Sequence, residues 1–446
     1  MFLAASFALF CLVCSILAFA RHPIWGLYFY MATTYVFPPD RWWGYMLPDL
    51  RWAFSSAAIT VLAVVFHRGR LSSKPFWLAN GPAMLYFLYA LWMLVQSPMA
   101  MDPTEHSKAT EVLIKCLLAF WFVYRIADSR ERVRDVMVAH VFGCAFLGIL
   151  CLVTGRQGGR LDGVGGPNLN DSNTLGMYLA SAAICGIGLV LTQKGWRRWA
   201  CLASLVLIME GFVLANSRGA FLGFAAGAAV VAFCKAREHR RMFWAFAAVG
   251  VVGLVLVVDQ VFIERMFTIG DVTSESEDAD TSARSRLVIV KAQWQMFLDY
   301  PMGTGRHGTV VLSPRYIDER WLTVDAEGNA ARASHNTMMT ALVEQGFIGA
   351  MIFSAALAWV AIAPLRMRVL NKATGDAELT TLGASLAGAL MVIMVSGMTA
   401  DYMYKEVQYW LYPLLVTVFE IGRTATRERR RAAGARPLQP AAGISA

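Results

Sequence analysis

The chain has 446 residues, 57% of them hydrophobic and only 16% charged, with a mean hydropathy of +0.49. Soluble globular domains carry about 25% charged residues, so this composition excludes one and indicates a polytopic membrane protein. The net charge of +9 is spread over short basic loops between apolar runs, which argues against a nucleic-acid surface and reports membrane topology instead.

Residues 1–38 supply one long broken span or two short ones, split at Arg21-His22-Pro23. The first run, Met1 to Ala20, lacks the basic start of a signal peptide and is read as a retained helix. Further apolar runs fall near 51–66, 77–97, 111–127, 136–154, 174–192, 199–215, 219–234, 242–259, 340–365, 378–400 and 408–422. The expectation is an all-α polytopic protein of about twelve transmembrane helices with both ends in the cytoplasm. Basic loops such as Lys194/Arg197/Arg198 and Lys235/Arg237/Arg240/Arg241 mark the cytoplasmic side. The outward segments are then 39–50, 98–110, 155–173, the turn Asn216-Ser217-Arg218, the long loop 260–339, and 401–407.

This divides the chain into an N-terminal helix bundle (1–259), a large outward loop (260–339), C-terminal helices (340–422) and a basic tail (423–446). The tail is expected to be disordered. All eight cysteines lie in or beside apolar runs. Cys11 and Cys14 have CxxC spacing, but inside a hydrophobic helix, so all eight read as small buried hydrophobes.

A loop as long as 260–339 between spans is usually functional or disordered. Its segment 286–298 has a helical pattern. Leu287, Val290, Trp294, Phe297 and Leu298 share one face, with Lys291, Gln293 and Gln295 elsewhere. Such a helix suits a membrane surface or the end of a bundle. Tyr300-Pro301 ends it, and Gly303-Thr304-Gly305 turns the chain.

Outward arginines are unexpected under the positive-inside rule. Arg156, Arg160, Arg218, Arg284, Arg286, Arg306, Arg315, Arg320 and Arg332 all fall there. Arg218 stands out, because its turn is too short to reach far into water and a charge between two apolar helices is costly without an anion or cavity. Guanidinium groups bind phosphate oxygens bidentately and stay charged. Arg306, Arg315 and Arg320 read mainly as side chains reaching to lipid head groups.

His335 is the histidine placed for chemistry. Ser334-His335-Asn336 immediately precedes an apolar helix that also carries Glu344. A neutral imidazole can take a proton from a sugar hydroxyl; the alternative is an incidental histidine in a capping segment. His140 lies within an apolar run and reads as a core residue. Asp278-Ala279-Asp280 is formally a DxD, but it sits in the acidic run ESEDAD and reads as solvated. No P-loop, HExxH or GxSxG occurs, so nucleotide-driven chemistry is not expected.

Three segments together resemble the O-antigen ligase/polymerase superfamily of bacterial membrane glycosyltransferases. They are NSRGAFLGF with Arg218, SRLVIVKAQWQMFLDYPMGTG with Arg286, and SHNTMMTALVEQGFIG with His335, Glu344 and Gly346. The resemblance spans roughly 60–420 and is most specific over 284–349. It implies a GT-C-like helical fold in the bacterial inner membrane, with a periplasmic site. It also implies inverting transfer from an undecaprenyl-diphosphate-linked glycan, without metal, nucleotide or other cofactor.

By carry-over, His335 would be the general base. Arg218 and Arg286 would hold the diphosphate, with Arg284 as the alternative or second arginine beside Arg286. Arg156, Gln157 and Arg160 would contribute from the 155–173 loop, and Asn336 and Glu344 would support the site. Modest length and the lack of an added soluble domain favour an O-antigen ligase acting on the lipid A-core. A repeat-unit polymerase and a protein O-oligosaccharyltransferase are the alternatives. A lipid-linked-glycan transporter is a fourth reading, disfavoured because no inverted repeat is visible.

Overall fold

The structure is a computed structural model that describes residues 1–156, 161–167, 169–267, 281–324, 328 and 330–434, with backbone alone at 254–257, 265, 267, 281–286, 430, 433 and 434. The apolar runs become helices in sequence order. They are α1 (Phe2–Ala20), α2 (Ile24–Val36), α3 (Trp52–Phe66), α4 (Gly81–Gln96), α5 (Pro103–Ile126), α6 (Arg130–Thr154), α7 (Ser172–Thr192), α8 (Trp196–Ala215), α9 (Arg218–Cys234) and α10 (Arg240–Val257). The long loop folds as α11 (Gln260–Phe267), α12 (Thr281–Asp299), α13 (Gly308–Tyr316) and an antiparallel hairpin of β1 (Thr323–Val324) with β2 (Ala330–Ala331). Three helices follow: α14 (Thr337–Thr374), α15 (Ala377–Ser396) and α16 (Val407–Gly434).

One expectation needs adjusting. The basic tail starts as helix, since α16 continues through 423–434; residues 435–446 lie outside the described residues. Length and composition single out part of the expected spans. Among the described residues six helices (α1, α6, α7, α8, α14 and α15) are long and apolar enough to cross a membrane. A seventh appears if α9 and α10, bent by 117° at Cys234–Arg237, count as one span. Length is the reason for α3: its 15 residues reach only about 22 Å at 1.5 Å per residue, against a hydrocarbon core of about 30 Å.

Local chemistry sets the helix starts. The side chains of Asp102, Asp171, Ser217, Asn336 and Asp376 each accept a backbone N–H at the first turn of α5, α7, α9, α14 and α15. Such caps satisfy donors that apolar surroundings would otherwise leave orphaned.

The central helices are α7 and α15, each buried on nearly every side. Against α15 lies α9, whose Gly219, Gly223 and Gly227 face Thr399, Ser396 and Gly388. A Cβ at any of the three would collide with α15 or the turn beyond it. Small residues at this spacing let helix backbones approach within van der Waals range, the main attraction available between helices in lipid. Outer helices keep large apolar residues on the surface, including Leu9, Leu12 and Ile16 of α1 and Leu91 and Val95 of α4. That pattern fits a multi-pass membrane protein.

Candidate active site

The polar centre begins at a break in α14. Gly346 has φ +64° and ψ −168°, so the helix is interrupted there. The carbonyls just before it lose their helical partners and must find others. The turn after α12 supplies them. Thr304 N–H donates to Val343 O (3.0 Å) and Gly305 N–H to Glu344 O (2.8 Å), while Phe347 N–H donates back to Pro301 O (2.9 Å). Gln96 Nε2 adds a bond to Glu344 O (2.9 Å), and Trp92 Nε1 one to Gln345 O (2.8 Å). Gly303, at φ +90°, is required because a Cβ there would stand 2.6 Å from Gly346 N.

This clamp aims two side chains. Glu344, almost fully buried, accepts from Arg306 Nη1 at 2.9 Å, and the same nitrogen lies 2.7 Å from Asp401 Oδ2. The Arg306 guanidinium also sits 5.1 Å from the Tyr404 ring centre. Burial alone would weaken its charge, but Asp401 and Glu344 more than offset this and hold its pKa well above the usual arginine value. The Arg306 backbone N–H donates to His106 Nδ1 (2.9 Å), while His106 Nε2 faces Met93 O (2.9 Å). These partners assign the His106 proton to Nε2. Next to it, His307 Nδ1 lies 2.9 Å from Asp102 Oδ2.

The predicted base stands at the start of α14. His335 is half-buried and precedes Asn336, whose side chain caps Met338 and Met339 N–H. The segment is held from two sides. On one, Gln293 of α12, fully buried, donates to Ser334 Oγ (2.9 Å). On the other is the turn 396–402. Asn336 Nδ2 donates to Met398 O (3.2 Å), Thr337 N–H to Gly397 O (2.8 Å) and Thr337 Oγ1 to Ala400 O (2.7 Å).

The same turn meets Gly219, the residue after Arg218. Ser396 Oγ donates to Gly219 O (3.1 Å), and Thr399 packs on Gly219. Ser217 caps α9 and donates to Asn173 Oδ1 (2.9 Å), which ties in the start of α7. The N-termini of α9 and α14 therefore meet one turn, and that of α7 is tied to α9. Helix N-termini carry partial positive charge and bind anions through free N–H groups. Lys405, just beyond the turn, adds a cation near Asp171, Asp401 and Arg306; burial pushes its pKa below the usual lysine value, with Asp171 and Asp401 opposing.

Asn336 and the residue after Arg218, Gly219, are thus held by a common turn, and Glu344 lies deeper along α14. Arg156 has another task here: it donates to Leu214 O (3.0 Å) and Val213 O (2.5 Å) and pairs with Asp259. It closes the C-terminus of α8 behind Arg218. Arg284 and Arg286 lie in the first turns of α12, but their side chains are outside the described residues, as are Gln157, Arg160, Asp278 and Asp280 entirely. No cluster of metal-ligating side chains occurs among the described residues.

The face of α12 that packs inward is Ile289, Ala292, Gln293 and Met296, against Leu312, Ile317 and Val343. The sequence-read stripe of Leu287, Trp294 and Leu298 is exposed. The helix is apolar on both sides, and spacing alone selects only one of them. The sequence pointed to Glu344 but not to its partners Arg306 and Asp401, nor to Lys405. The available signal was DYMYKE, a dense charged segment between two apolar runs.

A family model described as O-antigen ligase matches residues 203–354, about a third of the chain. The matched region runs from α8 to the middle of α14 and contains Arg218, Arg286, His335, Glu344 and Gly346. No curated protein matches the chain. Residues 203–354 are thus similar to the O-antigen ligase family, and the three segments that resemble the wider superfamily lie in order within that stretch.

Proposed function

We propose that the protein is an O-antigen ligase, an inverting and metal-independent glycosyltransferase. It moves a polysaccharide from undecaprenyl diphosphate to a hydroxyl of the lipid A-core. In this reading it lies in the bacterial inner membrane with about twelve GT-C-like spans, a periplasmic site and a cytoplasmic C-terminus. The observation that supports the proposal is that the helix starts next to Arg218 and His335 are both bonded to the turn 396–402, through Gly219 on one side and Asn336 and Thr337 on the other.

The chemistry follows from that arrangement. An acceptor hydroxyl attacks the anomeric carbon as the bond to the diphosphate oxygen breaks. His335 takes the hydroxyl proton. Charge grows on the departing diphosphate, and Arg218, Arg286 or Arg284 and the helix N-termini stabilise it. A single displacement inverts the anomeric centre, and the diphosphate is a sufficient leaving group without nucleotide. A cavity of about 270 Å³ lined by Asn336 and Gly397 near the site, and by Phe353, Leu390 and Met394 deeper, suits a lipid-borne donor.

The test is transfer from purified undecaprenyl-diphosphate glycan to lipid A-core, to repeat-unit glycan or to a protein acceptor. The proposal expects product on lipid A-core only, undiminished by EDTA and abolished by His335→Ala. Product on glycan or protein instead would make it a polymerase or protein transferase. Movement of donor across the membrane with no product would make it a transporter. Full transfer by His335→Ala would remove the base assignment.

A further inference from the structure

A cavity of about 600 Å³ opens between α12, Tyr316 of α13 and Met339 of α14, a volume in the range of about 300–1,000 Å³ typical of ligand pockets. Its lining is mixed. Val288 and Met339 are apolar, while Lys291, Trp294, Gln295 and Tyr316 bring an ammonium, an amide and two aromatic rings. These groups are open to a ligand: Lys291, Trp294 and Gln295 are all exposed.

The donors there are uncommitted and their support is fixed. Lys291 Nζ, the Gln295 amide and Trp294 Nε1 make no hydrogen bond or ion pair among the described residues. Trp294 is 48% exposed, and its ring meets Phe297 at 5.6 Å, tilted by 45°. Beneath it α12 is anchored by Ile289, Gln293 and Met296, all buried. The Tyr316 hydroxyl donates to Asp299 Oδ2 (2.5 Å), which holds the second ring. Rings held in place before a ligand arrives cost little ordering when it binds. Gln293, adjacent to Trp294, donates to Ser334 Oγ (2.9 Å), and Met339 lies about one turn beyond Asn336. The pocket therefore shares α12 and the start of α14 with the segment that carries His335.

The lining selects the occupant. A pyranose has an apolar C–H face that can cover an aromatic ring and a rim of hydroxyls that can accept from an amide or ammonium. An acyl chain would strip water from Lys291 and Gln295 and return nothing. Lys291, with exposed Arg315 next to Tyr316 in sequence, favours a sugar bearing an acidic group. We propose that this pocket binds an acidic sugar of the acceptor oligosaccharide, its ring on Trp294, its hydroxyls on Gln295 and its anionic group on Lys291. Assignment to the acceptor rests on the transferase reading; binding of an acidic oligosaccharide does not.

The experiment titrates the full-length protein in detergent, without donor, with core oligosaccharide released from lipopolysaccharide, read by calorimetry. Wild type should bind it, and Trp294→Ala and Lys291→Glu should each weaken binding about tenfold, as truncation of a central aromatic or charged contact does. Should Trp294→Ala lower the unfolding midpoint, Lys291→Glu, a change at an exposed side chain, carries the test. No binding by wild type, equal binding by wild type and variants, or equally tight binding of a neutral glucan overturns the proposal. A transfer assay separates it from the reading it rests on. Both variants should raise KM for lipid A-core and leave kcat near the wild-type value. Transfer to lipid A-core with KM unchanged in both variants defeats the pocket and leaves the transferase reading intact. Binding that the variants weaken, in a protein that transfers to no acceptor, defeats the transferase reading and leaves the oligosaccharide site.

Discussion

Replacing Gly346 by alanine should unfold the polar centre without touching any charged residue. The backbone at φ +64°, ψ −168° is nearly closed to residues with a Cβ, a strain of about 1–3 kcal/mol. The added Cβ would also stand 2.5 Å from Gly303 N and 2.6 Å from Met302 O, backbone atoms that cannot rotate away. Relief requires the Pro301–Gly305 turn to separate from α14. That breaks the bonds from Thr304 to Val343, Gly305 to Glu344 and Phe347 to Pro301, each contributing about 1 kcal/mol net. Together the loss is about 4–6 kcal/mol, a large part of the 5–15 kcal/mol that typically separates folded from unfolded states. Glu344 and Arg306 would move with the turn, and a misplacement of about 1 Å at a reacting site lowers rates by roughly a hundredfold. The assay is apparent thermal unfolding in detergent together with glycan transfer. Gly250→Ala is the control, since nothing lies within 4 Å of its Cβ position and alanine is the better helix former. A Gly346→Ala protein with the wild-type midpoint and full transfer would refute the clamp as the organiser of the site.

Other outcomes follow from the same geometry. Arg306→Ala should destabilise by about 3–5 kcal/mol, because it leaves the Glu344 carboxylate buried without its partner; Arg306→Met with Glu344→Gln should recover most of the loss, and failure to recover would mean the pair is not coupled. Gln293→Leu should change the unfolding midpoint little but lower transfer severalfold through a looser Ser334-His335 segment, seen in kcat more than KM; unchanged kcat would deny Gln293 a positioning role. Lys405 has a depressed folded-state pKa, so at neutral pH its buried charge costs stability. That cost is relieved as pH rises through the folded value, and is gone above the ordinary lysine value of 10.5. The midpoint of wild type relative to Lys405→Met should therefore climb over the alkaline range below pH 10.5, and a flat difference would show that burial does not shift this group.

The sequence by itself determined the helices and their ends. Apolar runs must satisfy their backbone internally in lipid, so length and composition marked where α3 to α10 and α14 to α16 lie. The capping segment Ser334-His335-Asn336 and the stop at Tyr300-Pro301 are local chemistry and were legible for that reason. Arg218 was legible because a charge between apolar helices is anomalous wherever it occurs. The tertiary structure decided the partners. Arg306 read as a head-group arginine until Asp401, 95 residues away, and Glu344 were found on its guanidinium. That Arg156 reaches the last carbonyls of α8 was likewise set by packing. The inward face of α12 depended on Leu312, Ile317 and Val343 being there to meet it. A residue's apolar or charged character is carried by the chain, but its function in a buried site depends on which distant groups share the low-dielectric space, and only packing sets that.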